Sequence, residues 1–146
     1  MNHLVACGLQ DVEFICANTD AHVLTRCVAA KTIQLGRSGL GAGSKPDTGR
    51  EAAIKMKDDI RTAIKNADMI LFTAGMGSGT GSGAAPVIAR TAKDMGIPTV
   101  GMVTMPFEFE VVHRLSCADA GLTELQAHVY SLIVVPNEKL LSILGD

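Results

Sequence analysis

Between Gly75 and Gly83 every second residue is glycine, with Met76, Ser78, Thr80 and Ser82 in between. Glycine loses more backbone freedom on folding than any other residue, so this alternation is a costly way to build a plain turn. The flanks give it a context. Met69 to Ala74 is a short apolar run of the kind that forms a strand buried in a parallel sheet. After the glycines, Ala85, Ile88, Ala92 and Met95 recur on one helical face, and Gly96 and Pro98 end the pattern. A strand that runs through glycines into a helix is a device for holding an anion. The backbone can approach a ligand closely, and the first helical turn offers free N–H groups and a partial positive charge. Ser78, Thr80 and Ser82 add hydroxyls. Phosphate is the expected guest, the helix is expected to begin near Ser82, and the loop's amides are expected to face one concavity. On this reading Gly79→Val abolishes ligand binding and leaves the fold intact.

The rest of the chain repeats the strand–helix alternation. Val12 to Ala17, Lys31 to Leu35, Thr99 to Thr104 and Ser131 to Val135 read as strands, the second of them an edge strand. Thr48 to Ala67 reads as one amphipathic helix, with Ala53, Met56, Ile60, Ala63 and Ala67 inward and a charged, solvated outer face. A further helix carries Leu115, Ala118, Leu122, Leu125 and Val129, and Asn2 to Gly8 reads as the back half of another. The fold class is therefore α/β, a mostly parallel, Rossmann-like sheet flanked by helices, with ligand loops at the carboxyl ends of the strands. No linker, repeat or low-complexity segment divides residues 1–146, which read as one domain.

Composition removes several classes. A net charge of −2 gives no basic face for nucleic acid, and without Trp and with Tyr130 alone there are no stacking platforms. No run of about 18 apolar residues spans a membrane, and no signal-peptide pattern opens the chain. Cys7, Cys16, Cys27 and Cys117 lack C-x-x-C spacing and read as free thiols of a reducing cytoplasm. Their spacing with His3, His22, His113 and His128 fits no metal-ligand pattern.

The glycine loop lacks the lysine of G-x-x-x-x-G-K-[ST], and the acidic residue about twenty positions on that a dinucleotide-binding oxidoreductase requires is missing. The string from Gly75 to Gly83 instead resembles the G-G-G-T-G-[ST]-G signature of the tubulin/FtsZ family. Asn18-Thr19-Asp20, Gly39 to Gly43, Pro106 to Glu110 with Arg114, and Pro136-Asn137 fall in that family's order and approximate spacing. The resemblance covers nearly the whole chain and part of the family's GTPase domain. It implies a filament-forming cell-division GTPase of the cytoplasm, binding GTP or GDP with Mg2+ beside the triphosphate. Self-association into head-to-tail filaments and contacts with other cell-division proteins are implied with it.

By the same resemblance Gly77, Ser78, Gly79, Thr80 and Gly81 hold phosphates with Ala42 and Gly43 nearby, Glu110 and Arg114 serve the ribose side, and Asn137 reads the base. On the residues alone, Glu110 and Arg114 can equally be an i,i+4 ion pair, Asn137 a helix cap for residues 138–144, and Asp20 or Thr19 a cap for Ala21 to Arg26. Ser78 stands where the signature has glycine, Val111 to His113 replace the family's glycine and basic residues, and Tyr130 replaces an aspartate. No catalytic residue is assigned, because the family completes its site with an acidic loop from the next subunit. The family's first strand, expected between the strands at Val12 and Met69, has no counterpart, so a gap in the sheet is expected there. A non-catalytic assembly module of the same family is the alternative.

Overall fold

The computed structural model describes residues 12–29, 31–43, 45–106 and 112–136. The readings of Asn2 to Gly8, Glu110, Val111, Asn137 and the segment 138–144 lie outside them. In order, the elements are β1 (Ile15–Asn18), α1 (Ala21–Thr25), β2 (Lys31–Gln34), α2 (Pro46–Lys55), α3 (Lys57–Ile64) and β3 (Ile70–Gly75). A π-helical turn (Thr80–Ala84) then runs straight into α4 (Ala85–Asp94), followed by β4 (Thr99–Met105), α5 (Val112–Gln126) and β5 (Ser131–Pro136).

Every strand pair is parallel. β1 pairs with β2, and β3, β4 and β5 form a second sheet in that order. Among the described residues β1 and β3 are not hydrogen-bonded to one another, and the expected gap between them is neither closed nor tested by residues 1–11, which lie outside the described residues.

Two apolar clusters hold the layers together. One packs Leu35, Ala53, Ile60, Ile64, Ala92 and Ile97 with Ile15, Ile33 and Ile70. The other packs Met76, Ala89, Val103, Ala118 and Leu125 with Phe72, Leu122 and Leu132. Helix α4 serves both, Ala89 facing one and Ala92 the other. Its end follows from local chemistry. Gly96 takes φ 74°, and Ile97 N–H donates to the Ala92 carbonyl at 3.0 Å while Gly96 N–H donates to that of Lys93 at 3.0 Å. That is a Schellman cap, with Ile97 buried just beyond it.

Three details differ from the sequence reading. The helix expected over Thr48 to Ala67 is two helices, divided at Met56, where φ −103° and ψ 18° leave the helical region. The Met56 N–H donates to the Ala53 carbonyl at 3.2 Å, an i→i+3 bond that tightens the turn between them. The run from Met69 is not buried on both faces. Leu71 is 64% exposed, Ile133 52% and Met102 39%, because among the described residues helices α4 and α5 cover the opposite face only. Helical backbone begins at Gly79 (φ −64°, ψ −42°), three residues before Ser82.

Candidate functional site

A cleft of about 420 Å³ opens at the carboxyl ends of β1 and β3, on the line of the gap. That is where open parallel sheets place ligands. Its polar lining is Asn18, Thr73, Ser78, Thr80, Thr104 and Arg114, with Gly75, Met76 and Gly81 supplying backbone. A second hollow of about 310 Å³ shares Thr73, Gly75 and Thr104 and extends toward Met102 and Val135 on the uncovered sheet face.

The loop after Asn18 divides two tasks between neighbouring residues. Asp20 caps α1, its carboxylate accepting from His22 N–H at 2.9 Å. Thr19 is buried and points elsewhere, its hydroxyl 2.6 Å from that of Thr80. Gly41 N–H donates to the Thr19 carbonyl at 3.1 Å, and Gly79 N–H to the Gly43 carbonyl at 3.0 Å. The polar loop after β1 and both glycine-rich loops are thus tied at one point.

Of the ten residues assigned by resemblance, Ser78, Thr80, Gly81 and Arg114 line the cleft. Gly77 and Gly79 are buried beneath it, Ala42 is buried against Gly79, and Gly43 sits exposed at φ 60°. Glu110 and Asn137 lie outside the described residues. Asn18 and Thr104 also line the cleft and were not among the assigned residues. Both sit at the ends of parallel strands, the positional signal that marks the Asn18–Asp20 loop in the sequence and that applies equally to Thr104.

The glycines do more packing than the sequence reading gave them. A Cβ on Gly79 would lie 2.8 Å from the carbonyl oxygens of Gly43 and Lys45 and 2.9 Å from the Ala42 methyl. One on Gly81 would overlap the Gly75 carbonyl, and one on Gly83 the carbonyl of Pro46. Gly77 takes φ 102° beneath Pro106 and Arg114, 3.2 Å and 3.3 Å from the position of an added Cβ. The expectation that Gly79→Val would spare the fold is therefore reversed. Nor do all the loop amides face the cleft. Met76 donates to Thr104 at 2.9 Å, Gly77 to the Ser82 hydroxyl at 2.8 Å and Gly81 to the Ser78 hydroxyl at 3.0 Å.

Among the described residues lining the cleft, Arg114 carries charge and none is a carboxylate. No group of three or more His, Cys, Asp or Glu side chains able to hold a metal occurs among the described residues. The donor set of hydroxyls and one amide suits a Mg2+ that arrives on phosphate and keeps its waters, rather than one caged by protein. Near the base of β1, burial and the neighbouring Cys27 thiol push the Cys16 thiol up to about 11.

These features define a parallel α/β domain with a glycine-loop cleft, and the family model described as "Tubulin/FtsZ family, GTPase domain" matches residues 6–145. The chain belongs to that family. It is 51% identical over 148 residues to the cell division protein FtsZ of Azotobacter vinelandii, covering 99% of this chain and 38% of that protein. Among solved structures, an FtsZ dimer of M. jannaschii, described as empty, superposes with a TM-score of 0.94 at 41% identity, covering 99% of this chain and 43% of the other. CetZ1 from Haloferax volcanii, a GDP-bound monomer, superposes with a TM-score of 0.79 at 26% identity, covering 85% and 41%. The chain therefore spans less than half the length of the relatives it matches. Among the described residues no helix is long and apolar enough to cross a membrane.

Proposed function

We propose that residues 1–146 form the guanine-nucleotide-binding part of a filament-forming cell-division GTPase. The observation that carries the reading is the cleft at the ends of β1 and β3, which gathers Ser78, Thr80, Gly81 and Arg114 beside the start of a helix. Helix N-termini favour phosphate through their amides and dipole. In this reading the Ser78 and Thr80 hydroxyls contact the triphosphate, with Gly81 in the wall beside them, its N–H held by the Ser78 hydroxyl. Gly77 and Gly79 shape the loop from beneath, with Ala42 and Gly43 at its outer side. Arg114 and Glu110 serve the sugar, and Asn137, with donor and acceptor on one plane, reads guanine. Mg2+ accompanies the triphosphate and would neutralise its charge.

Hydrolysis is assigned to the assembled filament. In this reading the chain provides the phosphate cradle and its electrostatic stabilisation. An acidic loop from the next subunit in a head-to-tail filament supplies the group that orients water, and other cell-division proteins bind that polymer in the cytoplasm. A non-catalytic assembly module is the second reading, favoured by the engagement of the Gly79 N–H with Gly43 instead of the cleft.

The test is displacement of a fluorescent GTP analogue by unlabelled nucleotides. A bidentate base contact discriminates by about 1–3 kcal/mol, so GTP should compete roughly tenfold or more better than ATP. Equal competition removes the guanine assignment. No binding of either, with self-association intact, selects the assembly module.

A further inference from the structure

The π-helical turn that opens α4 is gripped from two sides. On one side stands α2: a Cβ on Gly49 would overlap the Gly79 carbonyl, and one on Gly83 would lie 2.9 Å from Arg50 N. On the other stands α5, where a Cβ on Gly121 would be 3.0 Å from Ser82 Cα, Cβ and carbonyl oxygen. Glycine at these contacts brings three backbones together with no side chain between them. Ser82 in turn accepts from Gly77 N–H at 2.8 Å, so its position sets the shape of the loop before it.

One side-chain contact joins the two walls directly. Arg50 of α2 donates from Nη1 to Glu124 Oε1 at 2.8 Å and from Nη2 to Oε2 at 2.5 Å, across 74 residues of sequence. Both side chains are about two-thirds buried, and Arg50 Nε is buried with no acceptor. Planar, bidentate pairing fixes orientation as well as distance, which a lysine in place of the arginine could not do.

We propose that Arg50 and Glu124 are positioning residues for polyphosphate binding: their ion pair latches α2 to α5 around the π-helical turn and holds Ser78 and Thr80 in the cleft. Neither residue lines the cleft, so the pair acts through backbone geometry. The proposal rests on the reading of the cleft as a nucleotide site. A pair that only adds stability would lower the unfolding midpoint and leave the folded protein's affinity alone.

The experiment uses Arg50→Lys, Glu124→Gln and the exchanged pair Arg50→Glu with Glu124→Arg, at a temperature where far-ultraviolet circular dichroism shows all of them folded. Two quantities are measured: amide hydrogen exchange across residues 76–84, without ligand, and affinity for inorganic tripolyphosphate and for guanosine. The latch predicts exchange at least tenfold faster in both single variants. It also predicts a tenfold loss of tripolyphosphate affinity with guanosine affinity unchanged, and partial recovery of both in the exchanged pair. Unchanged exchange across residues 76–84 overturns the latch, as does a loss of affinity equal for tripolyphosphate and guanosine. If the unsubstituted chain binds neither compound, the nucleotide reading fails on its own. Faster exchange in the variants would then sustain the grip on the turn, and unchanged exchange would end it.

Discussion

Gly83→Ala should destabilise the chain, although alanine is the better helix former. The position lies in the π-helical turn Thr80–Ala84, facing the first turn of α2. An alanine Cβ there would overlap the Pro46 carbonyl oxygen and lie 2.8 Å from Pro46 C and 2.9 Å from Arg50 N. These are backbone atoms, so no rotamer change relieves the contact and the two helices must separate. Overpacking of a tight interior costs about 1–3 kcal/mol, and rigid partners select the upper end, about 3. The gain in helix propensity offsets about 1 kcal/mol. The net loss is about 2 kcal/mol. With a urea dependence of about 2 kcal/mol per molar, the unfolding midpoint should fall by about 1 M. A midpoint that stays or rises would show propensity winning, and the contact between the turn and α2 would be refuted.

Thr19→Val removes the 2.6 Å hydroxyl contact with Thr80 without lining the cleft itself; loss of about 1 kcal/mol is expected by urea unfolding. Leu125→Ala, at a fully buried position of the second cluster, should cost about 2–5 kcal/mol in the same assay. Cys16 should be the slowest of the described thiols to react with iodoacetamide near neutral pH, because its thiolate forms only as pH approaches about 11. Since its ordinary value is 9.0 and the fold raises it, the folded state holds the proton more tightly. Stability should therefore be intact below pH 9 and fall as pH rises toward 11, a decline that Cys16→Ala abolishes in pH-dependent unfolding.

The parallel α/β class was legible because its signals are local and repeated. β-branched and apolar runs marked every described strand to within a few residues, and Gly96 stopped α4 through a positive-φ cap that only a few residue types accept. That β1 and β3 do not pair directly was legible through the resemblance. The break at Met56 was not, since Lys55, Met56 and Lys57 are all good helix formers and nothing local marks the position. The glycine loop was legible as a device but only half understood. Alternation announced close approach, yet a sequence cannot say whether a ligand or a neighbouring helix does the approaching. For Gly79, Gly81 and Gly83 the neighbour is protein backbone. The same limit hid Thr104, whose place in the cleft depends on which strands end side by side, whereas the loop from Asn18 was legible as lying at a strand's carboxyl end.

The central claim is that the cleft between the ends of β1 and β3 holds the phosphates of a guanine nucleotide. A crystal structure of the chain grown with a non-hydrolysable GTP analogue and Mg2+ tests it most directly. The account predicts phosphate oxygens within hydrogen-bonding distance of the Ser78 and Thr80 hydroxyls, with the guanosine leaving the cleft past Arg114. A nucleotide seated elsewhere on the chain, leaving this cleft to water, would contradict it.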